Sequence, residues 1–131
     1  MSTKILVIED NEQNLYLVSF ILKARGYEII QARDGRQGLE LAARHKPSLV
    51  LLDMQLPAKD GYTVAREIKE NSILENVPIV AVTSCAMVGD RERILAAGCE
   101  GYIEKPINPE TFLGEVEKHL PAGASDKGMK P

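Results

Sequence analysis

The chain has 131 residues, 44% of them hydrophobic and 27% charged, enough for one soluble domain that buries roughly two-thirds of its unfolded surface. Sixteen basic against nineteen acidic residues give a net charge of −3 with no basic cluster, which argues against a nucleic-acid partner. No apolar run reaches membrane-spanning length, and the start MSTKILVIED lacks the apolar length of a signal peptide. Cys85 and Cys99 have neither metal-ligand spacing nor the look of a disulfide framework, so reduced thiols in a cytoplasmic protein are expected.

Lys4–Glu9 (KILVIE) is a first strand, apolar from Ile5 to Ile8, that delivers Glu9 and Asp10 at its tip. Asn11 is placed to cap the helix that follows, with Leu15, Val18, Ile21 and Leu22 on its inner side and Gly26 at its stop. Glu28–Ala32 (EIIQA) is a shorter, more polar strand. Asp34-Gly35 turns into a second helix up to about His45, with Leu39, Ala42 and Ala43 facing inward.

After Pro47 comes LVLLDMQLP, four apolar residues and then Asp53. An unbroken apolar run marks a strand covered on both faces, and the acid at its end needs compensation if it is buried. Pro57–Gly61 reads as a loop, and Tyr62–Asn71 as a third helix with Val64, Ala65 and Ile68 as its stripe. Ile79–Thr83 (IVAVT) is another buried strand, ending in a hydroxyl; Val88–Ala97 is a fourth helix stopped by Gly98. Gly101–Glu104 (GYIE) is a short strand ending at Lys105-Pro106. Asn108-Pro109-Glu110 then opens a fifth helix through a cap, a proline at the first position and an acid at the positive dipole end. Phe112, Leu113, Val116 and Leu120 form its buried face, and 121–131 is expected to be a disordered tail.

Five strands alternating with five helices make an α/β domain with a parallel sheet. The first, third and fourth strands are the most apolar and belong inside, the second and fifth at the edges. Right-handed crossovers with helices on both faces favour the order 2-1-3-4-5. The topological switch then lies between the first and third strands, where Glu9, Asp10 and Asp53 emerge. Three carboxylates in one crevice repel each other, and a hard divalent cation, Mg2+ best of all, relieves the conflict through oxygen ligands. Thr83 and Lys105 complete a ring suited to neutralising a phosphoryl group, with Asp53 as the nucleophile.

Taken singly, these residues have plainer readings: a solvated turn for Glu9-Asp10, a cap for Asp53, a strand hydroxyl for Thr83, a surface charge for Lys105. Together, the set Glu9-Asp10, Asp53, Thr83 and Lys105-Pro106, with VIEDNEQN and AVTSCAMVGDRER around it, resembles the receiver domain of two-component response regulators, in particular stand-alone receivers of the cell-division type. The resemblance runs over about residues 3–120 and implies a CheY-like, flavodoxin-like (βα)5 three-layer sandwich in a domain spanning 1–120. It implies phosphoryl acceptance on Asp53 from a histidine kinase or phosphotransferase. Asp10 then matches the direct metal ligand, Glu9 the outer acid and the Gln55 backbone carbonyl a third ligand. Thr83 and Lys105 match the phosphoryl-contacting residues, Tyr102 the aromatic that swings inward, and Lys105-Pro106 a cis peptide. The resting state is expected to leave the Thr83 hydroxyl free and Tyr102 at least partly exposed.

Three other functions compete. A phosphatase or phosphotransferase turning over through an aspartyl intermediate is disfavoured, because Gln55 stands where enzymes of the haloacid-dehalogenase type place a general acid. The acids, threonine and lysine are all present, which disfavours a degenerate scaffold. No glycine-rich phosphate loop follows the first strand, which disfavours a nucleotide-binding protein. His45 and His119 read as surface groups near helix C-termini, and Met54, Met87 and Met129 need no function. Only eleven residues follow Leu120, too few for an output domain. If the chain is complete, the signal must leave through a protein surface. The resemblance implies the face of the fourth helix, fifth strand and fifth helix, and a monomer or a weak phosphorylation-dependent dimer without membrane contact is expected.

Overall fold

The computed structural model of the chain describes residues 3–84 and 87–120. Cys85 and the expected tail 121–131, with Met129 in it, lie outside the described residues. The strands are β1 (Lys4–Ile8), β2 (Glu28–Ala32), β3 (Leu49–Asp53), β4 (Ile79–Thr83) and β5 (Gly101–Glu104). All pair in parallel, in the order β2-β1-β3-β4-β5. The helices are α1 (Glu12–Ala24), α2 (Gly35–His45), α3 (Gly61–Glu70), α4 (Val88–Ala96) and α5 (Phe112–Glu117).

The apolar strands are central because both their faces are covered. Alternate residues point to opposite sides. Leu6, Ile8, Val50, Leu52, Ile79 and Ala81 join Ala42, Val64, Ala65, Ile68 and Ile94 in one core, under α2, α3 and α4. Ile5, Val7, Leu49, Leu51, Val80 and Val82 join Leu15, Val18, Leu22, Phe112 and Val116 in the other, under α1 and α5. The result is three layers, with every strand pointing its carboxyl end to the same edge.

Helix starts follow their caps. Asn11, Asp34 and Asp60 each accept a hydrogen bond from the backbone N–H three residues on, Asn14, Gln37 and Thr63, at 2.8–2.9 Å. The third of these corrects the expected loop through Gly61: Asp60-Gly61 opens α3 as Asp34-Gly35 opens α2.

Two further expectations change. Ala43 is exposed, not inward. The buried face of α2 runs through Gly35, Gly38 and Ala42, and Ala43 lies one residue, about 100°, round from it. The fifth helix is also shorter than expected. Asn108 Oδ1 accepts from Glu110 N at 2.9 Å and its carbonyl from Thr111 N and Phe112 N. This tight turn occupies 109–111, and regular helix begins only at Phe112.

Candidate functional site

Parallel pairing carries the functional residues to one edge. Ile8 lies opposite Leu52, Asp53 opposite Val82, and Thr83 opposite Glu104. Pairing runs one residue past the strand ends, from Glu9 N to Ala32 O at 2.9 Å, Met54 N to Val82 O at 3.1 Å and Lys105 N to Thr83 O at 2.9 Å. These bonds fix the backbone on which Glu9, Asp53, Thr83 and Lys105 stand.

The side chains converge. Asp53 is 2% exposed, Glu9 4% and Thr83 0%, while Asp10 is exposed at the mouth. Carboxylate oxygens of Glu9, Asp10 and Asp53 lie within 4.8 Å of one another. The Lys105 ammonium sits 3.2 Å from Asp53 Oδ1 and 3.5 Å from Glu9 Oε1. The Gln55 N–H donates to Asp53 Oδ1 at 2.9 Å, and the Asn11 N–H to Glu9 Oε2 at 3.2 Å. Burial, then the neighbouring Asp53 charge, push the Glu9 carboxyl up to about 7 against the opposing pull of Lys105.

One ammonium thus pairs with two of the three clustered acids. The donor set is all carboxylate oxygen, without imidazole or thiolate, and therefore fits a hard divalent cation such as Mg2+ better than zinc or copper.

Gly61 shows how tightly α3 is set against this edge. A Cβ there would stand 2.6 Å from Met54 Cα and 2.8 Å from Asp53 O. The start of α3 therefore touches the backbone that carries Asp53, and only glycine permits the approach.

The structure gathers Glu9, Asp10, Asp53, Thr83 and Lys105, and the Lys105-Pro106 bond is cis. Tyr102 stands apart from this group, half-buried on β5, with the Arg91 guanidinium 5.6 Å from its ring centroid. One expectation fails. The Thr83 hydroxyl is not free, because Gln55 Nε2 donates to its Oγ1 at 2.8 Å. The same side chain accepts from Ser84 N at 3.4 Å. Sequence reasoning used the carbonyl of Gln55 and its inability to act as a general acid, assigned its side chain no contact, and passed over Ser84. A polar side chain two residues beyond an acid at one strand tip, facing Thr83-Ser84 at the next, was the available signal.

His119 is partly buried, and desolvation followed by the neighbouring Lys118 charge holds its imidazole below the usual range. It packs on Gly101, where a Cβ would meet its Cε1 at 2.6 Å, and takes no part in the carboxylate cluster. Among the described residues no helix is long and apolar enough to cross a membrane.

A family model described as the response regulator receiver domain matches residues 5–117. The polar-differentiation response regulator DivK of Brucella anthropi is 42% identical over 120 residues, covering 92% of this chain and 98% of its own. Among solved structures, the chemotaxis response regulator CheY4 of Vibrio cholerae is 28% identical with a TM-score of 0.88, over 92% of this chain and 100% of that one. The receiver domain of a Pseudomonas aeruginosa sensor histidine kinase, solved with a magnesium ion coordinated in its active-site cleft, is 34% identical with a TM-score of 0.83, over 91% and 98%.

Proposed function

The chain belongs to the response regulator receiver-domain family of two-component signalling, and on that premise we propose that it is a single-domain switch phosphorylated on Asp53. The observation that carries this reading is the buried Asp53 carboxylate, held at Oδ1 by the Lys105 ammonium at 3.2 Å within the Glu9–Asp10–Asp53 cluster. The match over 98% of the DivK relative's length supports a protein of one domain.

The donor is a phosphohistidine on a sensor kinase or histidine phosphotransferase. An Asp53 carboxylate oxygen attacks phosphorus; the new O–P bond forms as the P–N bond breaks, and the electron pair returns to the imidazole. The Gln55 N–H and the Lys105 ammonium fix the plane of the carboxylate, so the nucleophile is oriented before the donor arrives. Lys105 and the Thr83 hydroxyl then contact the phosphoryl oxygens. Glu9, Asp10, Asp53 and the Gln55 backbone carbonyl would hold Mg2+, which when bound neutralises the crowded carboxylates and the phosphoryl charge. Tyr102 follows Thr83 inward, and the altered surface of α4, β5 and α5 is what a downstream protein reads in the cytoplasm.

The test is incubation with a small acyl phosphate carrying labelled phosphorus, with and without Mg2+. Wild-type protein takes up label that is stable to acid and labile to base and hydroxylamine, and Asp53→Asn takes up none. Label persisting on the Asn variant would place the acceptor elsewhere.

A further inference from the structure

Gln55 touches both ends of the site at once. Its backbone N–H donates to Asp53 Oδ1 at 2.9 Å. Its side-chain amide reaches across to the tip of β4, donating to Thr83 Oγ1 at 2.8 Å and accepting from Ser84 N at 3.4 Å. Thr83 is fully buried, and its hydroxyl oxygen, as the acceptor in this bond, is what Gln55 holds in place. A carboxamide matches the pair it meets: its oxygen faces an N–H and its NH2 faces a hydroxyl oxygen.

These contacts compete with an acidic group placed on Asp53. The Ser84 N–H has one proton, and while it serves the amide oxygen of Gln55 it cannot serve a phosphoryl oxygen. Thr83 is restrained differently: its Oγ1 accepts from Gln55 Nε2, so the bond holds the oxygen in place rather than occupying its proton, and the oxygen must leave this position to approach a phosphoryl group on Asp53. We infer that the Gln55 side chain is a latch: a positioning residue that holds Thr83 and Ser84 in the unphosphorylated arrangement and must let go when Asp53 is modified. The inference rests on Asp53 being the phosphoacceptor. A contact made in only one of two states shifts the balance towards that state, so the latch sets a threshold for activation. Both bonds are neutral and Gln55 is exposed, so the shift is modest, on the order of three- to tenfold.

The experiment is an NMR titration with beryllofluoride at saturating Mg2+ on the full chain, in wild type, Gln55→Met, Thr83→Ala and the double variant. Methionine keeps the length of the side chain and the backbone carbonyl but removes both amide bonds. Gln55→Met is expected to bind beryllofluoride about three- to tenfold tighter than wild type. Before any addition, its Ser84 amide resonance should already lie displaced towards the position seen in the wild-type complex. On the Thr83→Ala background the gain should shrink. Unchanged or weaker binding in Gln55→Met, an unmoved Ser84 resonance, or an undiminished gain on the Thr83→Ala background overturns the latch. Wild type failing to bind beryllofluoride is a different failure, which overturns the phosphoacceptor reading and the latch with it.

Discussion

A carboxylate as buried as Asp53 needs partners, and here a backbone N–H and an ammonium answer it while two further acids crowd it, an arrangement that a purely structural acid does not call for. Asp10 is the most exposed of the three, so its removal tests the cation reading with little strain on the fold. Asp10→Ala should abolish Mg2+ binding followed by calorimetry; unchanged affinity would remove the assignment. Cys99 makes a contrasting case. Burial, then the adjacent Glu100 charge, push its thiol up to about 12 from an ordinary 9, which leaves almost no thiolate at neutral pH. Native protein treated with iodoacetamide at pH 8 should show the Cys99 peptide unmodified by mass spectrometry, and labelling at the rate of the unfolded chain would contradict this. The sign for stability follows. The folded state holds this proton more tightly than the unfolded one, so the contribution is complete below pH 9 and is lost as pH rises towards 12.

Elements in this fold are placed as much by missing side chains as by present ones. Along α2, Gly38 lies on Ile8 of β1, where a Cβ would collide with Cδ1 and stand 2.9 Å from Cγ1. Ile8 is fully buried and cannot step aside. In α5, Gly114 has open space around it. Gly38→Ala should therefore destabilise by about 1–2 kcal/mol, overpacking outweighing the gain in helix propensity. Gly114→Ala should stabilise by about 0.5–1 kcal/mol. Urea midpoints moving in the same direction for both variants would contradict the packing argument. This also explains which elements the sequence made legible. The apolar runs LVLLD and IVAVT announced central strands, because burial on both faces writes itself as unbroken hydrophobicity. The buried face of α2 was misjudged at Ala43 because small size, not hydrophobicity, is what that contact selects. The start of α5 was placed too early because Asn108 caps a turn as readily as a helix.

At the scale of the molecule, four strand tips assemble the site, and α4 packs beside the last of them, β5. The ring of acids, threonine and lysine was legible because each member ends a strand in an order set by crossover handedness. The engagement of Thr83 was not, because it depends on how a side chain bridges two strands that are distant in sequence. Two arginines of α4 lie over aromatic rings, Arg93 at 4.1 Å from the centroid of Tyr62 on α3 and Arg91 at 5.6 Å from that of Tyr102 on β5. Inward movement of Tyr102 must disturb the second contact, so events at Asp53 should reach α4 through this ring. The most direct measurement is NMR shift mapping with beryllofluoride and Mg2+, comparing wild type with Thr83→Ala. In wild type, shifts should extend from Asp53 through Tyr102 and Arg91 along residues 88–107; in Thr83→Ala they should stay close to Asp53. The full wild-type pattern in the Thr83→Ala variant would contradict the account, because the hydroxyl would then not couple the site to the surface.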